Sequence, residues 1–67
     1  MAVFPYKGQM PDVAEDVFIA PTASVVGDVR IGAGTNIWFG SVVRGDVNSV
    51  VIGKHTNVQD NATIHTM

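Results

Sequence analysis

The 67-residue sequence contains no cysteine, which excludes disulfides, thiolate metal ligands, thiol nucleophiles and CxxC redox chemistry, and leaves the redox compartment open. Positive charge is also scarce. Four Lys+Arg stand against six Asp+Glu, a formal charge of -2, and that balance argues against a nucleic-acid surface or a polybasic membrane anchor. Long apolar runs are missing as well. The hydrophobic share is 46%, but Val, Ile and Ala fall singly or in pairs, and no run approaches the ~20 residues of a membrane span. The opening MAVFPYKGQMPDVAED lacks the positive segment and continuous apolar stretch of a signal peptide, so a soluble, cytoplasmic protein is expected. A chain this short buries only ~60% of the surface its unfolded form exposes, so an ordinary globular core would be marginal.

What is present is a repeat. From Ile19 an aliphatic residue recurs every six positions, at Ile19, Val25, Ile31, Ile37 and Val43, and then at Ile52, Val58 and Ile64 after one break. Four residues past these positions stand small or β-branched residues: Ala23, Val29, Thr35, Ser41 and Val47, then Thr56 and Ala62. A six-residue step rotates well over half a turn around a helix of ~3.6 residues per turn, so a helix would spread these aliphatics over its whole circumference. Simple hairpin alternation fits poorly too, because the period runs through Gly27-Asp28 and Gly32-Ala33-Gly34 without resetting. The period therefore predicts a solenoid, a parallel β-helix in which each hexapeptide is a short strand plus a turn with its aliphatic side chain inward.

This pattern resembles the hexapeptide-repeat family, whose left-handed parallel β-helix uses three hexapeptides per triangular coil; the hand is implied by the resemblance. On that scheme Ile19, Val25 and Ile31 open the walls of the first coil, Ile37, Val43 and Ile52 those of the second, and Val58 and Ile64 begin a third. The nine-residue step from Val43 to Ile52 places three extra residues within Asn48-Ser49-Val50-Val51. Residues 1–18 are expected to form a turn and an edge strand near Val17-Phe18 that cap the solenoid, with 19–67 as the β-helix proper. Consecutive coils sit ~4.8 Å apart, so the column Val26, Arg44, His65 stacks on the second wall, and Ala20, Trp38, Gln59 and then Pro21, Phe39, Asp60 stack on the first. Trp38 and Phe39 face outward as an apolar patch suited to packing against another subunit or helix. Asn57 is expected to close a corner in the left-handed backbone region that Asn tolerates; His55 is read as solvated, and Met10 and Met67 as fillers.

The ordered set Arg44-Gly45-Asp46, then Asn57-Val58-Gln59-Asp60-Asn61, then His65 resembles the signature of the γ-class carbonic anhydrases and their relatives. The resemblance covers residues 19–67. It implies a metalloenzyme that reversibly hydrates CO2 at the interface of a homotrimer, with His65 as the first of three histidine ligands to zinc, or to iron or cobalt. Three neutral imidazoles leave zinc an open position, and the metal brings its water to a pKa near ~7. Gln59 would lie beside the metal-bound water or bicarbonate, and Arg44, Asp46 and Asp60 would form an ion-pair network at the interface. Two departures weigh on this. The position of the archetypal proton-shuttling glutamate, after the R-x-D aspartate, is Val47, and the sequence stops three residues past Ile64, within that hexapeptide and short of the further coils that carry the other two histidines. A truncated N-terminal portion is therefore expected, inactive by itself, binding no metal stably and prone to self-association.

Read without the resemblance, the same residues stay ordinary: a solvated histidine, a surface Arg–Asp pair, and polar Gln59 and Asp60 in a turn. Two other functions remain open, a hexapeptide acyltransferase using an acyl-CoA donor and a noncatalytic solenoid assembly module.

Overall fold

The structure is a computed structural model that describes residues 2–66. All its regular elements are strands: β1 (Ala2–Phe4), β2 (Asp12–Val13), β3 (Phe18–Ile19), β4 (Ser24–Ile31), β5 (Asn36–Ile37), β6 (Val42–Ile52), β7 (Asn57–Val58) and β8 (Thr63–His65). Every pairing between them is parallel. Among the described residues no helix is long and apolar enough to cross a membrane.

The pairings close three walls. Strands β3, β5 and β7 stack as the first, with Ile19 opposite Ile37 and Ile37 opposite Val58. The second is β1, the first half of β4, the first half of β6, and β8, with Val3, Val25, Val43 and Ile64 in one column. The third is β2 and the second halves of β4 and β6, where Val13, Ile31 and Ile52 align. This is a parallel β-helix of just under three coils, with the coil membership that the hexapeptide-repeat resemblance implies. Residues 2–18 pair onto it from below, and Val13 and Val17 pack against the core. The short strand expected near Val17-Phe18 lies one residue on, at Phe18–Ile19.

Burial follows the stacking. Ile37 and Val43 in the middle coil are sealed from both sides at 0% exposure, whereas Ile52 and Val58, with less above them, reach 7% and 5%. Each such aliphatic contributes about 1.5–3 kcal/mol through removal from water. Two core positions carry hydroxyls. Thr35 donates to the Gly53 carbonyl at 2.8 Å and accepts the Thr56 N–H at 3.2 Å, and Ser41 donates to the Gln59 carbonyl and accepts the Ala62 N–H at 3.4 Å. Each therefore bridges a corner of the coil above, where carbonyl and N–H groups leave the ladder and need partners.

The corners explain the glycines. Gly27 turns between the second and third walls at φ +80°, and a Cβ there would strike the Gly45 carbonyl; a Cβ on Gly45 would in turn strike the Asp28 backbone. Neighbouring coils touch through bare backbone at this edge, which only glycine permits.

Three expectations are corrected here. The extra residues of the second coil are not within 48–51: Gly45 pairs with Gly27 and Val50 with Val29, so residues 46–49 replace the single Asp28. Val47 accordingly leaves the inward column and is 71% exposed, while Val50 takes the place opposite Val29 at 6%. Asn57 is no left-handed corner but part of β7; the left-handed residues include His55 (φ 52°) and Asn61 (φ 57°). His55 stacks over Gly34 (φ +74°), which has no Cβ to obstruct the imidazole. Met10 is exposed rather than filling the core, and Met67 lies outside the described residues.

Candidate functional site

The second wall brings two of the candidate residues together. Its register sets Val26 opposite Arg44 and Arg44 opposite His65, so the imidazole stands one rung above the guanidinium although twenty-one positions separate them in sequence. Both side chains are exposed because each follows an inward aliphatic, Val43 or Ile64, and alternation turns the next residue outward.

Asp46 joins Arg44 from the start of the inserted corner. Arg44 donates through Nε and Nη2 to one oxygen, Asp46 Oδ2, at 3.2 and 2.8 Å, and Asp46 Oδ1 accepts the Val47 N–H at 2.8 Å. The guanidinium hydrogen bond first, and the Val47 N–H second, hold the Asp46 carboxyl below the usual aspartate range. Arg44 Nη1 makes no hydrogen bond among the described residues, so the pair keeps a donor for an outside acceptor.

Gln59 and Asp60 lie apart from this trio, in the turn that leaves the first wall. Both are exposed. The Ala62 N–H closes the turn on the Gln59 carbonyl at 3.3 Å, and Ser41 holds that carbonyl from beneath. Asp60 makes no ion pair among the described residues, so within one chain the Arg44, Asp46 and Asp60 set is an Arg44–Asp46 pair plus a separate carboxylate. One supporting residue, Ser41, was not singled out for the site in the sequence, and Asn57 has a role other than the corner expected of it. Ser41 looks like a small core residue, and its only signal is a hydroxyl at an inward position. Asn57 accepts the Trp38 indole N–H at 2.6 Å, and Trp38 packs against Phe18 and Phe39 with ring centroids 5.1 and 6.3 Å apart. That extends the outward aromatic patch across three residues of the first wall and its corner.

Among the described residues no three His, Asp or Glu side chains cluster to hold a metal ion. His65 offers one imidazole, and a tetrahedral metal needs three protein donors besides its open position. The residues present therefore do not fit a complete metal centre.

Residues 11–45 match the model of the family described as bacterial transferase hexapeptide (six repeats). The chain belongs to this hexapeptide-repeat family. Its recognition as γ-carbonic-anhydrase-like is also borne out. The chain is 58% identical over 55 residues to the mitochondrial gamma carbonic anhydrase 2 of Arabidopsis thaliana, an alignment covering 82% of this chain and 20% of that protein. It is 49% identical over 63 residues to a carbonic anhydrase of Geobacillus kaustophilus, covering 94% and 35% respectively. Among solved structures, a Bacillus cereus protein provisionally named an acetyltransferase superposes with a TM-score of 0.89 at 44% identity, over 92% of this chain and 36% of that one. The chain thus spans about a fifth to a third of the length of the curated relatives it matches.

Proposed function

We propose that this hexapeptide-repeat chain is the N-terminal portion of a γ-carbonic-anhydrase-like metalloenzyme, hydrating CO2 reversibly as a complete homotrimer. The observation that carries the reading is the vertical register of Arg44 and His65 with Asp46 paired to Arg44, found in a chain whose relatives are named carbonic anhydrases. His65 is the metal donor this portion contributes, projecting from a rigid rung. A zinc, iron or cobalt ion held by His65 together with donors from outside this chain would supply Lewis-acid activation of water near neutral pH; the remaining donors are not in this chain. Gln59 is the polar group for water or bicarbonate, its carboxamide adding no charge, and its backbone is anchored through Ser41. Arg44, prealigned by Asp46, is the interface cation, and Asp60 of a neighbouring subunit is an acceptor of matching charge.

In the complete subunit, His65→Ala abolishes metal loading and CO2 hydration, and Arg44→Ala shifts the trimer toward monomer in sedimentation. The 67-residue chain alone binds zinc below stoichiometry after dialysis and hydrates no CO2. Stoichiometric zinc on its monomer, or full activity of the His65→Ala subunit, overturns the reading. Fractionation separates the expected cytoplasmic location from the mitochondrial one named for the Arabidopsis relative.

A second reading, acyl transfer from an acyl-CoA, is favoured by the provisional acetyltransferase name of the Bacillus cereus structure. Acetyl-CoA binding and turnover by the complete protein, surviving metal removal, would establish it in place of hydration.

A further inference from the structure

The inserted corner at 46–49 contains two consecutive local bonds of one kind, each donated by a backbone N–H to the side-chain oxygen of the residue before it. Asp46 Oδ1 takes Val47 N–H at 2.8 Å and Asn48 Oδ1 takes Ser49 N–H at 2.9 Å. We infer that Asn48 is a site of spontaneous, structure-directed deamidation, and that it reacts ahead of the other three asparagines. The bond holds the Ser49 nitrogen against the Asn48 side-chain carbonyl group. Both residues are exposed, and they fall in the stretch where β6 leaves its register with β4, between Gly45 and Val50. Ladder pairing does not restrain the backbone there, and solvent water and hydroxide reach it.

In the first step hydroxide removes the Ser49 amide proton and the nitrogen attacks Asn48 Cγ. The N–Cγ bond forms, the Cγ–Nδ2 bond breaks, and Nδ2 leaves as ammonia after taking a proton from water. Water then opens the cyclic imide at either carbonyl, giving aspartate or isoaspartate. The net change is one water consumed and one ammonia released, with no oxidant or cofactor.

The neighbours show why the reaction is local. Asp46 has the same geometry, but its carboxylate is kept ionised by Arg44 and is a poor electrophile. Asn36 and Asn57 lie inside paired strands and are followed by β-branched Ile37 and Val58, which crowd the attacking nitrogen. Asn61 precedes Ala62, whose N–H is directed to the Gln59 carbonyl and the Ser41 hydroxyl instead of to the Asn61 side chain. The product at Asn48 places a second carboxylate on the corner that carries the Arg44–Asp46 pair, and the isoaspartyl form lengthens its backbone by one carbon.

Trypsin separates the candidates, since cleavage after Arg30, Arg44 and Lys54 leaves Asn36 in 31–44, Asn48 in 45–54, and Asn57 with Asn61 in 55–67. The folded 67-residue chain is incubated at mildly alkaline pH and mapped by mass spectrometry against a zero-time digest, with a parallel incubation in denaturant. The expected result is deamidation of 45–54 several-fold faster than of either other peptide when folded, with 55–67 gaining on it when unfolded. Ser49→Val slows the reaction several-fold and Asn48→Gln nearly abolishes it. Equal rates for 45–54 and 55–67 in the folded chain, or an unchanged 45–54 peptide while 55–67 reacts, overturns the inference.

Discussion

Replacing Thr35 by valine isolates one hydroxyl at the centre of the solenoid. Thr35 is fully buried, and valine keeps its shape, so the change removes two hydrogen bonds without opening a cavity. Their loss is unequal. The Gly53 carbonyl retains the Thr56 hydroxyl at 3.2 Å, whereas the Thr56 N–H keeps no other partner among the described residues. One half-buried donor left unsatisfied costs about 1–3 kcal/mol. Taking about 2 kcal/mol, and a shift of about 4–8 °C per kcal/mol for a domain of this size, Thr35→Val lowers Tm by about 8–16 °C. Thr35→Ser keeps the hydroxyl and deletes one buried methyl, worth about 1 kcal/mol. Thermal unfolding by circular dichroism orders the variants, and amide hydrogen exchange locates the effect, since Thr56 exchanges faster in Thr35→Val and stays protected in Thr35→Ser. If Thr35→Val unfolds with the parent chain and Thr56 keeps its protection, the hydroxyl does not clamp the corner above it.

The register of the insertion predicts that Val47→Asp, on an exposed corner, changes stability by no more than about 0.5 kcal/mol in urea denaturation. Val50→Asp, in the core, costs several kcal/mol or prevents folding. Gly45→Ala forces its methyl into the Asp28 backbone and destabilises by about 1–3 kcal/mol or more, seen as a lower urea midpoint. Asn57→Ala removes the acceptor of the Trp38 indole; the ring stays against Phe18, so stability falls by less than about 1 kcal/mol while Trp38 fluorescence changes as its N–H turns to water. Because the folded Asp46 carboxyl titrates below its ordinary range, its stabilising effect is present above the unfolded aspartate pKa and lost as pH falls through the folded one. Carboxyl chemical shifts followed down in pH show Asp46 titrating below the ordinary aspartate range, and Arg44→Ala moves it back up.

The walls were legible because a solenoid repeats its rule: each inward aliphatic must recur where the next coil covers it, and Ile19, Ile37 and Val58 do so at fixed spacing. With the three hexapeptides per coil that the family resemblance implies, the same rule placed Arg44 and His65 in one column. It misplaced the insertion because Val47 satisfies the small-or-branched pattern as well as Val50 does. Only the backbone closeness of Gly27, Gly45 and Asp28 decides between them, and that closeness is a property of neighbouring coils rather than of spacing. The left-handed corners fell to His55 and Asn61 instead of Asn57 for a related reason: Asn57 lies in strand β7 and accepts the Trp38 indole N–H, a contact across coils that no local propensity encodes. Gln59 and Asp60 were legible as a polar pair in the column above Trp38 and Phe39, but no ion-pair partner of Asp60 stands among the described residues.

The vertical neighbourhood of Arg44 and His65 is open to direct measurement by nuclear Overhauser contacts in the labelled 67-residue chain. Backbone contacts from Arg44 both to Val26 below and to His65 above, with Val50 rather than Val47 near Val29, are predicted. Contacts that put His65 beside a wall without Arg44, or a sequential helical pattern anywhere between Ile19 and Ile64, would contradict the stacked-coil account and the site built on it.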